Sequence, residues 1–344
     1  LTTVAGTGTA GFSGDGGPAA TAALNLPTDV KVDGAGNIYI ADMGNHRVRR
    51  VTPAGGISTV AGTGQAARGA DGVPAASSAL NFPAAVALDA AGDLYLIDWQ
   101  NYRIRKVSFN PRPSIAAGGV VNGASFAPAP VPVAPGSIIS IFGVNLAAET
   151  ALAAAVPLPT ELGGTSVRIN GGAAPLFFVS PGQINAQVPF EIAPGTATAV
   201  VRSPAGESAP EGFNVAAAAV GIFQFPATNR AVALNQNGSV NTPDNPEARG
   251  NILVVFLTGQ GPVNPAVATG QAASAAQLSF ATLRATANIG RAAAEVKFLG
   301  LTPGFVGLAQ ANVEIPAAAT TGGEVVMFVS VDGQAGNTAT VAIR

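Results

Sequence analysis

The chain of 344 residues is close to neutral and poor in charge. It carries 17 Lys and Arg against 19 Asp and Glu, and charged residues make up 10% of the sequence. Binding to nucleic acid or to an anionic membrane needs a basic surface, so neither partner is expected. The absence of Cys and the single His exclude disulfides, thiolate metal sites and His clusters. We therefore expect no catalytic residue, no cofactor and no metal-ligating residue.

The rest of the composition indicates a turn-rich, all-β protein. Hydrophobic residues make up 48% of the chain, with 43 Gly and 26 Pro, and the length suggests two or three domains. No apolar run reaches the ~20 residues that span a bilayer, so no transmembrane segment is expected. The sequence shows no signal peptide, and the lack of Cys fits a secreted protein. We expect an extracellular or cell-surface location.

The first third of the chain contains an internal repeat of 56 residues. Residues 2–52 match residues 58–108 without a gap, with 26 identities in 51 pairs. In each copy, β-rich segments alternate with Gly-containing and Asn-containing turns, which indicates a hairpin with flanking strands. We expect four antiparallel strands in each unit.

The motif of the first copy resembles the NHL repeat, a β-propeller blade. The residues that carry the resemblance are Pro27, Val30, Asp33, Gly36, Asn37, Tyr39, Ala41, Asp42, Asn45, His46 and Arg47. The resemblance implies two blades, at about 1–55 and 56–110. Two blades cannot close a ring of about four to eight. Either further blades lie upstream, or the exposed blade faces pair with another chain.

A second duplication follows residue 110, where Pro becomes frequent. Residues 136–143 have a partner in residues 250–259, and residues 169–174 have one in residues 289–294. Short apolar runs between Pro and Gly turns favour β-sandwiches. We therefore expect two modules, at 111–217 and 218–344.

The first module resembles the immunoglobulin-like TIG (IPT) fold. The resemblance is carried by residues 135–146, 167–171, 184–189 and 195–206. Residues 115–344 as a whole resemble an uncharacterised C-terminal region of secreted bacterial proteins that often follows NHL repeats. The expected fold is thus all-β, with two propeller blades and two tandem immunoglobulin-like sandwiches.

Two candidate features lie on the hairpin turns. Asp42 with Arg47, and Asp98 with Arg103, occupy identical positions in the two copies. We interpret them as carboxylate–guanidinium pairs that fix the turn, with a polar ligand site as the alternative. His46 could act as a general base, but Tyr102 holds its position in the second copy, which favours packing.

The remaining expectations concern partners. The apolar residues Ile38, Ile40, Leu94 and Leu96 form the candidate association surface. We expect a non-catalytic structural or interaction protein that binds copies of itself, forming an oligomer or fibre, or binds other extracellular proteins or glycans. Two alternatives remain: a propeller that binds a carbohydrate or small ligand, and a fragment of a secreted enzyme whose active blades lie upstream. Binding of Ca²⁺ by turn carbonyls also remains open.

Overall fold

The computed structural model describes residues 1–89, 92–109 and 112–344, and these residues form an almost entirely β protein. They divide into two compact units, Leu1–Pro111 and Arg112–Arg344. The helices in the described ranges are four single 3-10 turns, at Ala19–Thr21, Met43–Asn45, Ala75–Ser77 and Trp99–Asn101. None of the described helices has the length and apolar character needed to cross a membrane.

The amino-terminal unit contains two antiparallel meanders, one from each copy of the repeat. Sheet A has the strand order β1-β2-β3-β4, and sheet B has the order β5-β6-β7. The strands of sheet A are β1 (Pro27–Val32), β2 (Ile38–Asp42), β3 (Arg47–Val51) and β4 (Ile57–Ala61). Those of sheet B are β5 (Pro83–Leu88), β6 (Leu94–Asp98) and β7 (Arg103–Val107).

The expectation of four strands in each unit is wrong for the second copy, because sheet B has three strands within the described residues. Position 58 in β4 corresponds to Ser114, 56 residues later. Ser114 instead begins β8 (Ser114–Asn122), which pairs with Val144 and its neighbours in the carboxy-terminal unit. The outer edge of β7 therefore lacks the strand that covers β3 in sheet A.

The core of the amino-terminal unit lies mainly between the two sheets. Strands β2 and β6 are apolar on both faces; both faces of β2 are covered, whereas Ile97 on one face of β6 is exposed. One face of sheet A and the opposing face of sheet B share a buried cluster, which comprises Tyr39, Ala41, Val48, Ala61, Leu80, Val86, Leu94, Leu96 and Val107. A second, smaller cluster covers the other face of sheet A and comprises Ala19, Ala22, Ile40, Val51 and Ile57.

The first half of the carboxy-terminal unit has two sheets around one apolar core. The five-stranded sheet has the order β10-β14-β15-β9-β8, and the six-stranded sheet has the order β11-β12-β16-β17 with β13 on β12 and β18 on β16. The further strands are β9 (Ile138–Val144), β10 (Ala151–Leu152), β11 (Glu161–Leu162), β12 (Thr165–Ile169), β13 (Gly172–Ala174), β14 (Leu176–Val179), β15 (Gln183–Gln187), β16 (Gly195–Ser203), β17 (Gly206–Glu207) and β18 (Glu211–Val215).

The second half forms one eleven-stranded sheet with the path β19-β21-β26-β25-β24-β27-β28. Strand β20 joins β21, β22 joins β23, β23 joins β25, and β29 joins β27. The strands are β19 (Gly221–Ile222), β20 (Ala233–Leu234), β21 (Ile252–Thr258), β22 (Val263–Asn264), β23 (Phe280–Ala281), β24 (Ala285–Ile289), β25 (Ala292–Leu301), β26 (Ala309–Glu314), β27 (Gly322–Val331), β28 (Gln334–Ala335) and β29 (Ala339–Ile343).

One residue accounts for the different sheet counts of the two halves. Strand β25 pairs with β24 through Ala292–Ala294 and with β26 from Glu295 onwards, so it continues from one sheet layer into the other. The corresponding residues of the first half are divided between β13, which pairs with β12, and β14, which pairs with β15. Pro175 lies between them and has no N–H to donate, so the strand is interrupted there.

Buried polar side chains join the two halves of the carboxy-terminal unit. The Thr258 hydroxyl accepts the Ile138 N–H at 2.9 Å and donates to the Gly307 carbonyl at 2.8 Å. The Gln187 side chain accepts the Gly270 N–H at 2.7 Å. Thr258 and Gln187 are fully buried, so these hydrogen bonds are shielded from water.

Candidate interaction surface

The turn between the second and third strands of each sheet is closed by a buried carboxylate. Asp42 and Asp98 are fully buried. One oxygen of Asp42 accepts the Asn25 N–H at 2.8 Å, and the other accepts the side-chain amide of Asn45 at 2.8 Å. Asp98 makes the same two contacts 56 residues later, at 2.7 and 2.9 Å. The carboxylate therefore fixes the turn to the chain segment that enters the sheet.

The arginine partner of this carboxylate differs between the two sheets. In sheet B, Asp98 lies 3.7 Å from Arg103, the predicted partner, and 3.9 Å from Arg105. In sheet A, the predicted Asp42–Arg47 pair is replaced by Asp42 and Arg49, 3.3 Å apart and both fully buried.

The difference comes from Phe12. The guanidinium of Arg47 lies 3.8 Å from the centre of the Phe12 ring and donates to the Thr63 carbonyl at 2.6 Å. This cation–π contact holds Arg47 away from Asp42. The position equivalent to Phe12 in the second copy is Arg68, which offers no aromatic face to Arg103.

His46 makes a contact between the two sheets. Its Nδ1 accepts the Phe82 N–H at 3.2 Å, and the two rings pack edge to face with their centres 4.6 Å apart. Burial, and secondarily the charge of Arg47, lower the pKa of His46, so the neutral imidazole is favoured. The imidazole thus has a packing contact and a main-chain hydrogen bond. Tyr102 has the same left-handed backbone, but its side chain is 94% exposed.

The predicted association surface is corrected by the structure. Ile40, Leu94 and Leu96 are buried, and Ile38 is half-buried against the cluster that contains Ile40. Leu94 and Leu96 pack against sheet A, whereas Ile40 is covered by the segment that precedes β1. These four residues are therefore core and not surface.

The exposed apolar residues of the two sheets lie elsewhere. We define the trailing face of a sheet as the side that meets the sheet after it. In sheet A this face packs on sheet B and includes Ala41 and Val48. Both residues are fully buried by sheet B. Their counterparts in sheet B, Ile97 and Ile104, are cross-strand neighbours and are 42 and 74% exposed. The trailing face of sheet B therefore carries larger apolar side chains than that of sheet A, and they are uncovered.

The opposite side of the pair is uncovered in the same way. We define the leading side of a sheet as the side that meets the sheet before it. In sheet B it includes Val86, which is 3% exposed, and the half-buried residues Phe82 and Leu88; the half-buried Val60, at the end of β4, packs on the same cluster. Their counterparts 56 residues earlier are all more than half exposed: Val4, Leu26, Val30 and Val32. The leading side of sheet A and the trailing face of sheet B are thus uncovered equivalents of the two surfaces that meet between sheets A and B.

The sequence held a signal for these residues that the analysis of single strands missed. The exposed positions carry an apolar residue in both copies, as at Leu26 and Phe82 or at Ala41 and Ile97. Surface residues facing water would be expected to become polar in at least one copy. Among the described residues, no group of three or more His, Cys, Asp or Glu side chains could hold a metal ion.

Comparisons with known proteins identify one repeat. Residues 24–51 match the family model of the NHL repeat. No curated protein matches the chain.

The similar solved structures include binding proteins and an enzyme. A surface glycan-binding protein of Bacteroides ovatus, in complex with a mixed-linkage heptasaccharide, is 11% identical over 93% of this chain and 54% of that chain, with a TM-score of 0.26. A surface glycan-binding protein of Bacteroides uniformis is 12% identical over 68% of this chain and 50% of that chain (TM-score 0.21). A γ-cyclodextrin glucanotransferase of alkalophilic Bacillus clarkii is 14% identical over 74% and 29% (TM-score 0.22).

The chain spans about half or less of the length of these three structures. TM-scores this low carry no inference about function, so the uncovered faces of sheets A and B remain the candidate site.

Proposed function

We propose that this chain is a non-catalytic extracellular or cell-surface structural protein that associates with copies of itself. Its parts would be two NHL blades, at 1–55 and 56–110, and two immunoglobulin-like modules, at 111–217 and 218–344. The trailing face of sheet B in one copy would pack on the leading side of sheet A in the next. The observation that supports this proposal is that the chain already makes the equivalent contact between its own two sheets.

In the proposed contact, the residues of the two uncovered faces would meet as their counterparts do inside the chain. In the internal contact, His46 packs on Phe82. Between copies, Tyr102 takes the place of His46, and Leu26 takes the place of Phe82. Both side chains are large and exposed, at 94 and 61%. Removal of such apolar surface from water stabilises the contact by roughly 25 cal/mol per Å² of buried area.

Such a contact is head-to-tail, because it joins two different faces. Repetition of a head-to-tail contact gives a ring where the rotation closes and a filament where it does not. Propellers close with about four to eight blades, so a ring of two-bladed chains would hold about two to four copies.

The test is the mass of the full chain in solution over a wide concentration range. We expect multiples of 33.8 kDa for the unchanged chain and a monomer for Ile97→Asp, which places a charge on the trailing face. The control is Leu152→Asp, which changes an equally apolar residue, 72% exposed, in the carboxy-terminal unit. A folded chain that remains monomeric at every concentration would overturn the proposal.

A further inference from the structure

Sheet B has a cavity where sheet A has a side chain. In sheet A, Ile57 of β4 is 1% exposed and packs among Ala19, Ala22, Ile40 and Val51. The four residues around Ile57 correspond, 56 positions later, to Ala75, Ser78, Leu96 and Val107 of the second copy. These four residues line a cavity of about 310 Å³ in sheet B. The cavity is thus the counterpart of the Ile57 site.

The polar rim of this cavity also repeats the surroundings of β4. In sheet A, the hydroxyl of Thr59 donates to Asp15 at 2.7 Å, and Asp15 also accepts Arg49 at 2.8 Å. In sheet B, Asp71 lies 2.9 Å from Arg105 and has a 74% exposed side chain, against 38% for Asp15. Asp71 and Arg105 both line the cavity.

The main chain around β4 shows how a strand is held there. Ile57 bonds to the loop on its outer side through Gly16 and Gly17: the Gly16 N–H donates to the Ile57 carbonyl at 2.8 Å, and the Ile57 N–H donates to the Gly17 carbonyl at 2.9 Å. Gly72 and Val73, the counterparts of this loop, line the cavity of sheet B. A strand placed between β7 and this loop would have hydrogen-bonding groups on both sides.

The chain contains a second segment with the sequence of β4. Residues Leu1–Ala5 read Leu-Thr-Thr-Val-Ala, against Ile-Ser-Thr-Val-Ala in β4. They belong to no strand, and Leu1 and Val4 are exposed. The residue that follows each segment makes the same hydrogen bond. The Gly6 N–H donates to the Ala19 carbonyl at 3.0 Å, and the Gly62 N–H donates to the Ala75 carbonyl at 3.0 Å.

From these observations we infer that residues 1–5 of one copy insert as the fourth strand of sheet B in a second copy. This inference rests on the proposed self-association and assigns its main-chain contact. The register follows from β3 and β4, in which Arg50 is the partner of Ser58 and Val51 is the partner of Ile57. By the offset of 56, Lys106 is the partner of Thr2, and Val107 is the partner of Leu1, whose side chain fills the cavity.

A disulfide across this register tests the inference, and the absence of native Cys leaves no competing thiol. In the double variant Thr2→Cys/Lys106→Cys, the Cα atoms of the two positions would lie ~4.5–5.5 Å apart, within the range of a disulfide, which should form under oxidising conditions. We expect a ladder of covalent oligomers with the link between positions 2 and 106. The matched control is Thr2→Cys/Lys297→Cys, because Lys297 is as exposed as Lys106, at 42 and 45%. It should give no such ladder.

A second variant tests the cavity itself. Leu1→Asp should weaken association about tenfold or more, because a charge would replace the apolar side chain that fills the cavity. If the link between positions 2 and 106 forms within one chain, the inference that the strand comes from a second copy is wrong. The two proposals can fail separately. If the unchanged chain associates and Ile97→Asp prevents association, but no link forms between positions 2 and 106, then the insertion of residues 1–5 is wrong and the proposed function stands. A chain that is monomeric throughout would overturn both.

Discussion

The main-chain N–H of Phe82 donates to Nδ1 of His46 at 3.2 Å, and this hydrogen bond joins the two sheets of the amino-terminal unit. Only the neutral imidazole can accept it, because both ring nitrogens of the cation are donors. Burial, followed by the nearby Arg47 charge, lowers the pKa of His46 below its ordinary value of 6.5. A lowered pKa in the folded state means that the contribution to stability is complete above pH 6.5 and is lost as the pH falls through the folded-state pKa.

We therefore expect the amino-terminal unit to lose stability as the pH falls below 6.5, before the carboxylates titrate. Because His46 is the single His of the chain, its imidazole signals in an NMR titration are unambiguous and should give a pKa below 6.5. The variant His46→Gln should remove this part of the pH dependence. A measured pKa at or above 6.5 would show that the contact does not favour the neutral ring.

The buried carboxylates of the two turns should differ in their importance for stability. Asp42 pairs with the fully buried Arg49 at 3.3 Å, so Asp42→Asn leaves a buried guanidinium with only Asp15 as its charged partner. Loss of one member of a buried pair costs about 3–5 kcal/mol. Asp98 lies 3.7 Å from Arg103 and 3.9 Å from Arg105, and these side chains are 21 and 12% exposed. Because both pairs are longer and less buried, Asp98→Asn should cost about 1–2 kcal/mol, the magnitude of a lost hydrogen bond.

Urea denaturation of the two variants measures this difference in the free energy of unfolding. The two substitutions are matched, because they change the same atom at equivalent positions of the repeat. Equal losses would contradict the reassignment of the Asp42 partner from Arg47 to Arg49.

The hydroxyl of Thr258 should stabilise the joint between the halves of the carboxy-terminal unit. Thr258→Val keeps the shape of the side chain but leaves the Ile138 N–H and the Gly307 carbonyl without their partner. An unsatisfied buried polar group costs about 1–3 kcal/mol. The control is Thr165→Val, because Thr165 is equally buried and its hydroxyl has no hydrogen-bond partner. Thermal unfolding should show a loss for Thr258→Val and none for Thr165→Val.

The strands and turns of the amino-terminal unit could be predicted from the sequence because their signals are local. The repeat at an offset of 56 and the Gly and Asn turns define the hairpins, and the structure has β2 and β3 where the pattern indicates them. The choice between Arg47 and Arg49 as partner of Asp42 was not predictable in this way. It depends on Phe12, which is more than 30 residues away and occurs in only one copy.

The candidate site was less predictable than the fold. Strands β2 and β6 are apolar on both faces, and the sequence does not say which face another part of the chain covers. The segment before β1 covers Ile40, and sheet A covers Leu94 and Leu96, so Ile97 and Ile104 are the residues that remain exposed. This distribution follows from the order of the sheets in space, which requires contacts between distant residues.

Two equivalent glycines provide the last prediction. Gly62 has a φ of +91°, and a Cβ built on it would lie 2.2 Å from the carbonyl oxygen of His46, which precedes the paired strand β3 of the same sheet. Gly62→Ala should therefore destabilise the chain by about 1–3 kcal/mol through the clash, in addition to backbone strain. Gly6 has a φ of +99°, but the nearest atom to its added Cβ is Leu24 Cδ1 at an ordinary 3.5 Å.

Gly6→Ala should consequently carry only the backbone strain within one chain. If residues 1–5 lie beside β7 of a second copy, however, the carbonyl of that copy's Tyr102 would take, beside Gly6, the place that the His46 carbonyl has beside Gly62. The added methyl group would then clash between copies and weaken association about tenfold or more. Gly8→Ala is the control for strain alone, since Gly8 has a φ of +83° and no atom within 4 Å of its added Cβ. Sedimentation of the three variants beside the unchanged chain separates the two effects, and equal association of the Gly6 and Gly8 variants would show that the contact between copies does not repeat the internal one.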